Sequence, residues 1–299
     1  MKKLLAVLLT AAMTMAMLPA GGSSNTEATD TTTETTEAEA DTTTDDAAVE
    51  ETAEAADAAE ETADTEAAVS EALADGMLTA GTNAEFPPFE YVGDDGEADG
   101  FDMALIKAIG EKLGVDVQVD NMEFASLVSS IGNKIDVAIA GMTITDERKE
   151  AVDFSEPYYE AVQYVLLPEG SEIATAEDLK NKTIGVQLGT TGDFIASDIE
   201  GTTVNTYNKG VDAVNDLING RVDCVIIDKN PALVFESKFQ DDGSKITAVD
   251  GAQFEFEPEY YAIAVPKGDT ALVDAINKAI EELKADGTFD ELVKTYIEE

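Results

Sequence analysis

The sequence from about residue 76 onward predicts an α/β fold, on three observations. Segments with a strand pattern alternate with segments whose apolar residues recur at helical spacing. The alternation comes in two batches along the chain. Two of the strand-like runs, 135–140 and 221–227, are rich in apolar residues, as are strands buried on both faces of a parallel sheet. We therefore predict parallel sheets covered by helices.

The predicted elements follow one another with recognisable ends. In the first batch, Asp102 is placed to cap a helix that ends at Gly114. Thr145 is placed to cap the next helix, which begins at Asp146. Two further helices complete the chain after the second batch. The predicted strands are 77–82, 115–119, 135–140, 183–186, 204–206, 221–227 and 260–265.

Polar residues follow four of these strands. They are Asn83, residues 141–143, residues 187–191 and Asp228. In α/β sheets, ligands bind beyond the carboxyl ends of the strands. We therefore expect the four loops to form one ligand site.

The N-terminal quarter has a different composition. Residues 1–20 are typical of a secretory signal peptide, with Lys2 and Lys3 before an apolar run. Residues 21–75 consist largely of Thr, Glu, Asp and Ala, and such a segment buries too little apolar surface to fold. We predict a disordered acidic linker there. We expect an extracytoplasmic, cell-surface-associated chain, secreted rather than lipid-linked because no cysteine follows the apolar run.

Composition excludes several classes of function. The formal net charge of −45 argues against binding to nucleic acid or to anionic lipid, since both require Lys and Arg. The chain has no His and one Cys, which excludes a His/Cys zinc site and the Ser-His-Asp and Cys-His catalytic arrangements. We expect no cofactor and no bound metal.

Arg148 lies in the first turn of a predicted helix, where a cation is unfavourable because the helix N-terminus carries a partial positive charge. A bound carboxylate, held by the guanidinium and by nearby backbone N–H groups, is one explanation. Local pairing with Asp146 or Glu147 is the other. The local sequence favours neither.

Five motifs together carry a resemblance to a known family. They are residues 81–90 (GTNAEFPPFE), 100–102 (GFD), 140–148 (AGMTITDER), 153–159 (DFSEPYY) and 185–192 (GVQLGTTG). From about residue 78 to the C-terminus the chain resembles the polar amino-acid-binding proteins of ABC importers, solute-binding protein family 3. The resemblance implies a periplasmic-binding-protein-like (type II) fold, with two lobes joined by two crossover hinge strands. Lobe 1 would comprise residues 76–160 and 262–299, and lobe 2 residues 161–261.

The resemblance also implies a ligand site. Arg148 would bind the ligand's α-carboxylate with the N–H groups of Thr143 and Thr191, and Asp228 would pair with the α-ammonium. A buried zwitterion needs such a counter-charge at each end. Phe86 and Phe124 match the family's aromatic pair, and Asn83 and Gln187 would contact the far end of the ligand's side chain. The full set of candidates is Asn83, Phe86, Phe124, Ala140, Gly141, Thr143, Arg148, Gln187, Thr191 and Asp228.

Asn83 is a departure that bears on specificity. Relatives that prefer basic ligands commonly carry Asp at its position, although Glu85 or Glu90 offers a replacement carboxylate. Two aromatic faces suit a guanidinium through cation–π attraction, and they also suit the carboxamide of glutamine. We expect a basic amino acid or glutamine, with an acidic amino acid the least suitable.

The resemblance implies a monomeric extracytoplasmic binding protein that captures a free amino acid, closes by hinge motion and delivers it to the permease of an ABC transporter. It is not an enzyme on this interpretation. One alternative is a dehydratase acting on prephenate or arogenate on the same fold, with Glu85 or Glu123 as general acid. Another is a sensor subunit that presents the ligand to a membrane receptor.

Overall fold

Residues 70–298 are described in the computed structural model, and all of them lie within one compact unit of the chain. The predicted signal peptide and residues 21–69 of the predicted linker lie outside the described residues. Ser70 is buried and donates a hydrogen bond to Asp269 Oδ2 over 2.6 Å. A 3₁₀ helix follows at Glu71–Leu73.

Strands and helices alternate over most of the described chain. The strands are β1 (Met77–Thr82), β2 (Glu85–Phe86), β3 (Glu90–Val92), β4 (Ala98–Asp99), β5 (Asp116–Asn121), β6 (Val137–Ala138), β7 (Val152–Phe154), β8 (Tyr159–Ala161), β9 (Gln163–Pro168), β10 (Thr183–Gln187), β11 (Thr203–Tyr207), β12 (Cys224–Asp228), β13 (Ile246–Asp250), β14 (Glu259–Tyr261) and β15 (Ala264–Pro266). The α-helices are α1 (Phe101–Leu113), α2 (Leu127–Ser130), α3 (Asp146–Ala151), α4 (Thr191–Asp198), α5 (Gly210–Ile218), α6 (Lys229–Asp241), α7 (Thr270–Asp286) and α8 (Thr288–Tyr296). Further 3₁₀ helices are Phe124–Ser126, Ala176–Leu179 and Gly251–Phe254.

Two five-stranded sheets organise the chain, in the orders β5-β1-β6-β15-β7 and β11-β10-β12-β9-β13. β8 and β14 pair with each other in a separate two-stranded sheet, where the chain passes between the two large sheets. This is the two-lobed α/β fold with two crossover strands. We call the part built on the first large sheet lobe 1 and the part built on the second lobe 2. The residue boundaries given from the sequence stay a prediction.

Both large sheets are mixed, so the prediction of parallel sheets is wrong for some strands. β1 runs parallel to β5 and β6, whereas β15 runs antiparallel to β6 and β7. In the second sheet β9 runs antiparallel to β12 and β13. The reason is connectivity, because β9 follows the crossover strand β8 directly and β15 follows β14. β9 and β15 therefore begin at the edge of the sheet next to the crossover strands. The parallel strands end at that edge, so β9 and β15 run in the opposite direction.

Several element predictions differ in detail. The strand predicted at 135–140 is limited to β6, and the strand predicted at 260–265 is divided between β14 and β15. β9 and β13 were not predicted. Asp102 does not cap α1, since Gly100 occupies the N-cap position and Asp102 is fully buried inside the first turn. Its Oδ2 instead accepts hydrogen bonds from the Gly141 N–H and the Tyr158 hydroxyl, each over 2.8 Å.

Helices bury their apolar faces against the sheets, as the helical spacing predicts. In lobe 1, Leu105 and Ile109 of α1 and Ile276 and Ile280 of α7 are at most 2% exposed. Burying a side chain of this size contributes about 1.5–3 kcal/mol. Because helices occupy the sheet faces, the loops at the strand ends are the parts free to form a site. No helix within residues 70–298 combines the length and the apolar character needed to cross a membrane.

Candidate functional site

A narrow cavity lies where the loops of the two lobes meet. All ten residues proposed from the sequence line it, and Glu90 and Thr190 complete the wall. The lining residues are Asn83, Phe86, Glu90, Phe124, Ala140, Gly141, Thr143, Arg148, Gln187, Thr190, Thr191 and Asp228. Their role in ligand binding stays a prediction.

The strand ends bring these side chains together. Asn83 follows β1, and the loop of Gly141 and Thr143 follows β6 in the neighbouring position of the same sheet. In lobe 2, Gln187 ends β10 and Asp228 ends the adjacent strand β12. The cavity is therefore placed where carboxyl ends of parallel strands from both sheets face each other.

Arg148 turns toward the cavity rather than toward its own helix. It is 7% exposed, and its Nη1 donates to the Thr143 carbonyl over 2.6 Å while its Nη2 donates to the Gly189 carbonyl over 3.0 Å. Within the described residues the ion-pair partner of Asp146 is Lys149, at 3.3 Å. Burial lowers the pKa of Arg148, and the charges of Glu259 and Asp228 oppose that shift.

The position of Arg148 is fixed by its helix and by an aromatic ring. Thr145 caps α3, because its hydroxyl accepts a hydrogen bond from the Arg148 N–H over 3.1 Å. The guanidinium carbon lies 5.3 Å from the centre of the Phe124 ring, within cation–π range. The guanidinium is thus held at the cavity wall between a carbonyl of each lobe and an aromatic face.

Asp228 supplies a carboxylate from lobe 2. It is 7% exposed, and the Tyr261 hydroxyl donates a hydrogen bond to its Oδ1. Burial first, and then the charge of Glu259, raise the pKa of Asp228 to about 7. Arg148 and Asp228 therefore line one cavity with opposite charges, which suits a guest that is both anionic and cationic.

Asn83 and Gln187 join the lobes directly. Gln187 Nε2 donates to Asn83 Oδ1 over 2.8 Å, and the Asn83 amide donates to the Met122 carbonyl over 2.8 Å. At the rim of the same interface, Lys209 of lobe 2 forms an ion pair with Glu85 of lobe 1. These contacts show the lobes closed on each other.

Phe86 and Gly141 pack together inside the cavity. Phe86 is 8% exposed, and a Cβ atom added to Gly141 would meet its ring at 2.9 Å. Gly141 also has a φ of +52°, a conformation that glycine adopts without strain. Phe124 is half-buried and lines the cavity as well.

Glu90 is the lining residue that sequence reasoning named only in passing. It is fully buried, and its carboxyl group shares a side-chain hydrogen bond with the buried carboxyl group of Asp102. Burial raises its pKa well above the ordinary value, and the neighbouring Asp102 raises it further. The signal available in the sequence was an acidic residue directly after Pro87-Pro88-Phe89.

Two further residues were missed. The Thr190 hydroxyl caps α4 by accepting from the Asp193 N–H over 3.3 Å. Glu259, on the second crossover strand, accepts hydrogen bonds from the hydroxyls of Thr143 and Thr191. No local spacing indicates the role of Glu259, since its partners lie 116 and 68 residues away in the sequence.

Two lobes joined by paired crossover strands, with a buried polar cavity between them, define a binding protein of the two-lobed class. The family of bacterial extracellular solute-binding proteins, family 3, matches residues 78–299. The chain belongs to this family.

Individual relatives share about a third or more of their residues with the chain. The L-cystine-binding protein TcyJ of Escherichia coli (strain K12) is 34% identical over 231 residues, which cover 76% of this chain and 85% of that protein. The structure of an ancestral arginine-binding protein bound to arginine superposes with a TM-score of 0.70 at 41% identity, over 74% of this chain and 98% of the other. An ancestral arginine-binding protein bound to glutamine gives a TM-score of 0.67 at 41% identity, over 75% and 99%.

Membership of this family settles the class of function. The chain is a solute-binding protein, and the dehydratase alternative is set aside because the relatives are binding proteins and not enzymes.

Proposed function

We propose that the protein binds a free basic amino acid, with L-arginine the first candidate, in the cavity between its lobes. Arg148 binds the α-carboxylate together with the N–H groups of Thr143 and Thr191. Asp228 pairs with the α-ammonium, and the Gly141 carbonyl is a second acceptor. The observation that carries the proposal is that Arg148 and Asp228, from different lobes, line one closed cavity.

The choice of a basic ligand rests on the acidic and aromatic lining of the cavity. Glu90 adds a fully buried carboxyl group to the wall, beside Asp102, and the charge of Asp228 contributes to raising its pKa. A cation placed against a carboxyl favours its ionised form. Phe86 and Phe124 provide aromatic faces that suit a guanidinium.

Glutamine is a second candidate ligand, favoured by the amide pair of Asn83 and Gln187. A carboxamide can replace either partner of that pair without a charge. The relatives named above include proteins described with arginine, glutamine and cystine, so similarity supports the class of ligand without selecting one.

A thermal-shift screen against the twenty amino acids, ornithine, citrulline and cystine tests the proposal, because a ligand that binds only the folded state raises the melting temperature. Arginine and citrulline have the same length, but citrulline carries a neutral ureido group in place of the guanidinium. We expect arginine to give a larger rise in melting temperature than citrulline. The expected Kd for arginine is micromolar or tighter, which corresponds to a binding free energy of about −8 kcal/mol. A larger shift with glutamine or citrulline would reject the basic ligand.

The proposal extends to transport. We infer that the closed, loaded protein docks on a permease of an ABC transporter outside the cytoplasmic membrane, as a monomer secreted by the segment at residues 1–20. Uptake of labelled arginine should fall in cells that lack the gene, and the wild-type gene should restore it where an Arg148→Met variant does not. Unchanged uptake together with altered arginine responses would favour the sensor alternative.

A further inference from the structure

Glu259 collects hydrogen bonds from both lobes on a single oxygen atom. Its Oε2 accepts from the Thr143 hydroxyl over 2.7 Å and from the Thr191 hydroxyl over 2.7 Å. The Gln163 side-chain amide approaches the same oxygen at 3.4 Å. Thr143 belongs to lobe 1, Thr191 to lobe 2, and Glu259 to the crossover strand between them.

The two threonines have a double role in this geometry. Both line the central cavity, and both also line an outer groove of which Glu259 forms a wall. Glu259 binds their side-chain hydroxyls. The groups that the two threonines offer to the carboxylate of the proposed ligand are therefore their main-chain N–H groups. Thr191 is the first residue of α4, so its N–H has no acceptor within that helix.

Glu259 also acts through its charge. It opposes the lowering of the Arg148 pKa by burial, and it raises the pKa of Asp228. The carboxylate therefore lies close enough to stabilise the buried guanidinium, for which no ion-pair partner is found within residues 70–298.

We propose that Glu259 is a positioning residue that stabilises the closed state by holding Thr143 and Thr191 in a fixed relation, so that both N–H groups reach one ligand carboxylate. When the lobes separate, one carboxylate oxygen cannot keep a hydroxyl of each lobe. The hydrogen bonds are therefore gained on closure and add to the apparent affinity. The inference rests on the proposed function, because the carboxylate it serves is that of the amino-acid ligand.

Calorimetric titration with L-arginine and with L-glutamine tests the inference on Glu259→Gln, with Glu257→Gln as the matched control on an exposed residue of the same segment. Hydrogen bonds to a charged group are the stronger class, so we expect Glu259→Gln to weaken binding about tenfold or more. Thr143→Val and Thr191→Val should each weaken binding, because valine lacks the hydroxyl. Thr143→Ser and Thr191→Ser keep the hydroxyl and should bind nearly as tightly as the wild type. A loss with valine that serine rescues identifies the hydroxyl rather than general packing.

A measurement of lobe separation keeps the inference testable without a ligand. Ser129→Cys on α2 and Ser197→Cys on α4 are exposed positions for spin labels in opposite lobes, and Cys224 is buried. We expect Glu259→Gln to populate longer interlobe distances than the wild type and Glu257→Gln. Failure of the wild type to bind any amino acid would reject the proposed function but would not decide the role of Glu259 in lobe closure, which the distances measure. Equal distances in all three proteins, together with equal or equally absent binding, would overturn the role of Glu259.

Discussion

The side-chain amide of Gln187 donates a hydrogen bond to the side-chain oxygen of Asn83, across 2.8 Å and between the two lobes. Both residues were expected from the sequence to contact the far end of a ligand. Because they pair across the lobes, we predict that the surface facing the ligand's side chain forms only when the lobes close, which would couple selectivity to closure at this pair.

Replacing Asn83 by aspartate tests that coupling. Asn83→Asp keeps an acceptor for Gln187 and adds a carboxylate at the far end of the cavity. We expect the affinity for arginine to increase relative to that for glutamine by about tenfold, since a hydrogen bond to a charged group contributes about 1.5–3 kcal/mol. Titration calorimetry with both amino acids measures the ratio. An unchanged ratio would place the ligand's side chain away from Asn83.

The pH dependence of binding should reflect Asp228. Its pKa is raised to about 7 by burial and by Glu259, and pairing with an α-ammonium would lower it. Below about pH 7 a proton must therefore leave when the ligand binds, so affinity should fall as pH falls, by up to about tenfold per unit. Titrations at pH 5, 6, 7 and 8 check this. Asp228→Asn should bind more weakly and lose the slope, and a wild-type affinity that rises toward pH 5 would contradict the assignment.

The stability of the ligand-free protein should depend on pH in the opposite sense. Burial raises the pKa of Asp102 to about 7 from the 3.8 of an unfolded chain, so the folded state holds a proton that the unfolded state releases. Stability present below about pH 4 is therefore lost as pH rises toward 7, by about 1–4 kcal/mol. Urea unfolding at pH 5 and 7.5 measures the change.

Two asparagine variants separate Asp102 from the general repulsion of an acidic protein. Asp102→Asn should reduce the dependence, part of which remains because burial also raises the pKa values of Glu90 and Asp228. Asp274→Asn on an exposed face of α7 should leave it as in the wild type. Equal slopes in the two variants would mean that the buried Asp102 does not control the pH response.

The Lys209–Glu85 ion pair crosses the rim of the cleft, and its lysine side chain is 43% exposed. Such pairs contribute about 0.2–1 kcal/mol and are screened by salt. Lys209→Met should therefore weaken arginine binding about two- to fivefold at low ionic strength and have little effect at high salt. Lys112→Met, which removes the ion pair with Asp286 inside lobe 1, is the control. An equal loss in both variants would rule out a role in closure.

Local sequence patterns predicted the helices and strands that carry the candidate site. They did not predict all of the strands in the two large sheets. The alternation of strands with helices such as α1 and α7 was predicted correctly, because the helical spacing of apolar residues is a local feature. β9 and β13 escaped prediction because runs of six and five residues cannot be assigned to a strand by periodicity alone. The direction of a strand was not predictable either. A strand that follows a crossover strand and runs antiparallel to its neighbours has the same kind of composition as a parallel strand.

The residues of the candidate site also divide into those that local sequence patterns indicate and those that only the fold brings together. Arg148, Asp228 and Gln187 were found because each follows a recognisable strand or opens a helix. Glu259 was not, because the contacts that distinguish it come from two hydroxyls distant in the sequence, which the fold brings to it. Glu90 was named but not selected, because its burial beside Asp102 is a property of the fold and not of local spacing.

The central claim is that Arg148 and Asp228 together neutralise an amino acid between the lobes. Titration calorimetry of Arg148→Met with L-arginine tests it most directly, with Lys149→Met on the same helix as the control. We predict a loss of about 2–5 kcal/mol in binding for Arg148→Met, because a buried carboxylate is left without its partner, and no loss for Lys149→Met. An affinity in Arg148→Met equal to that of the wild type would contradict the account.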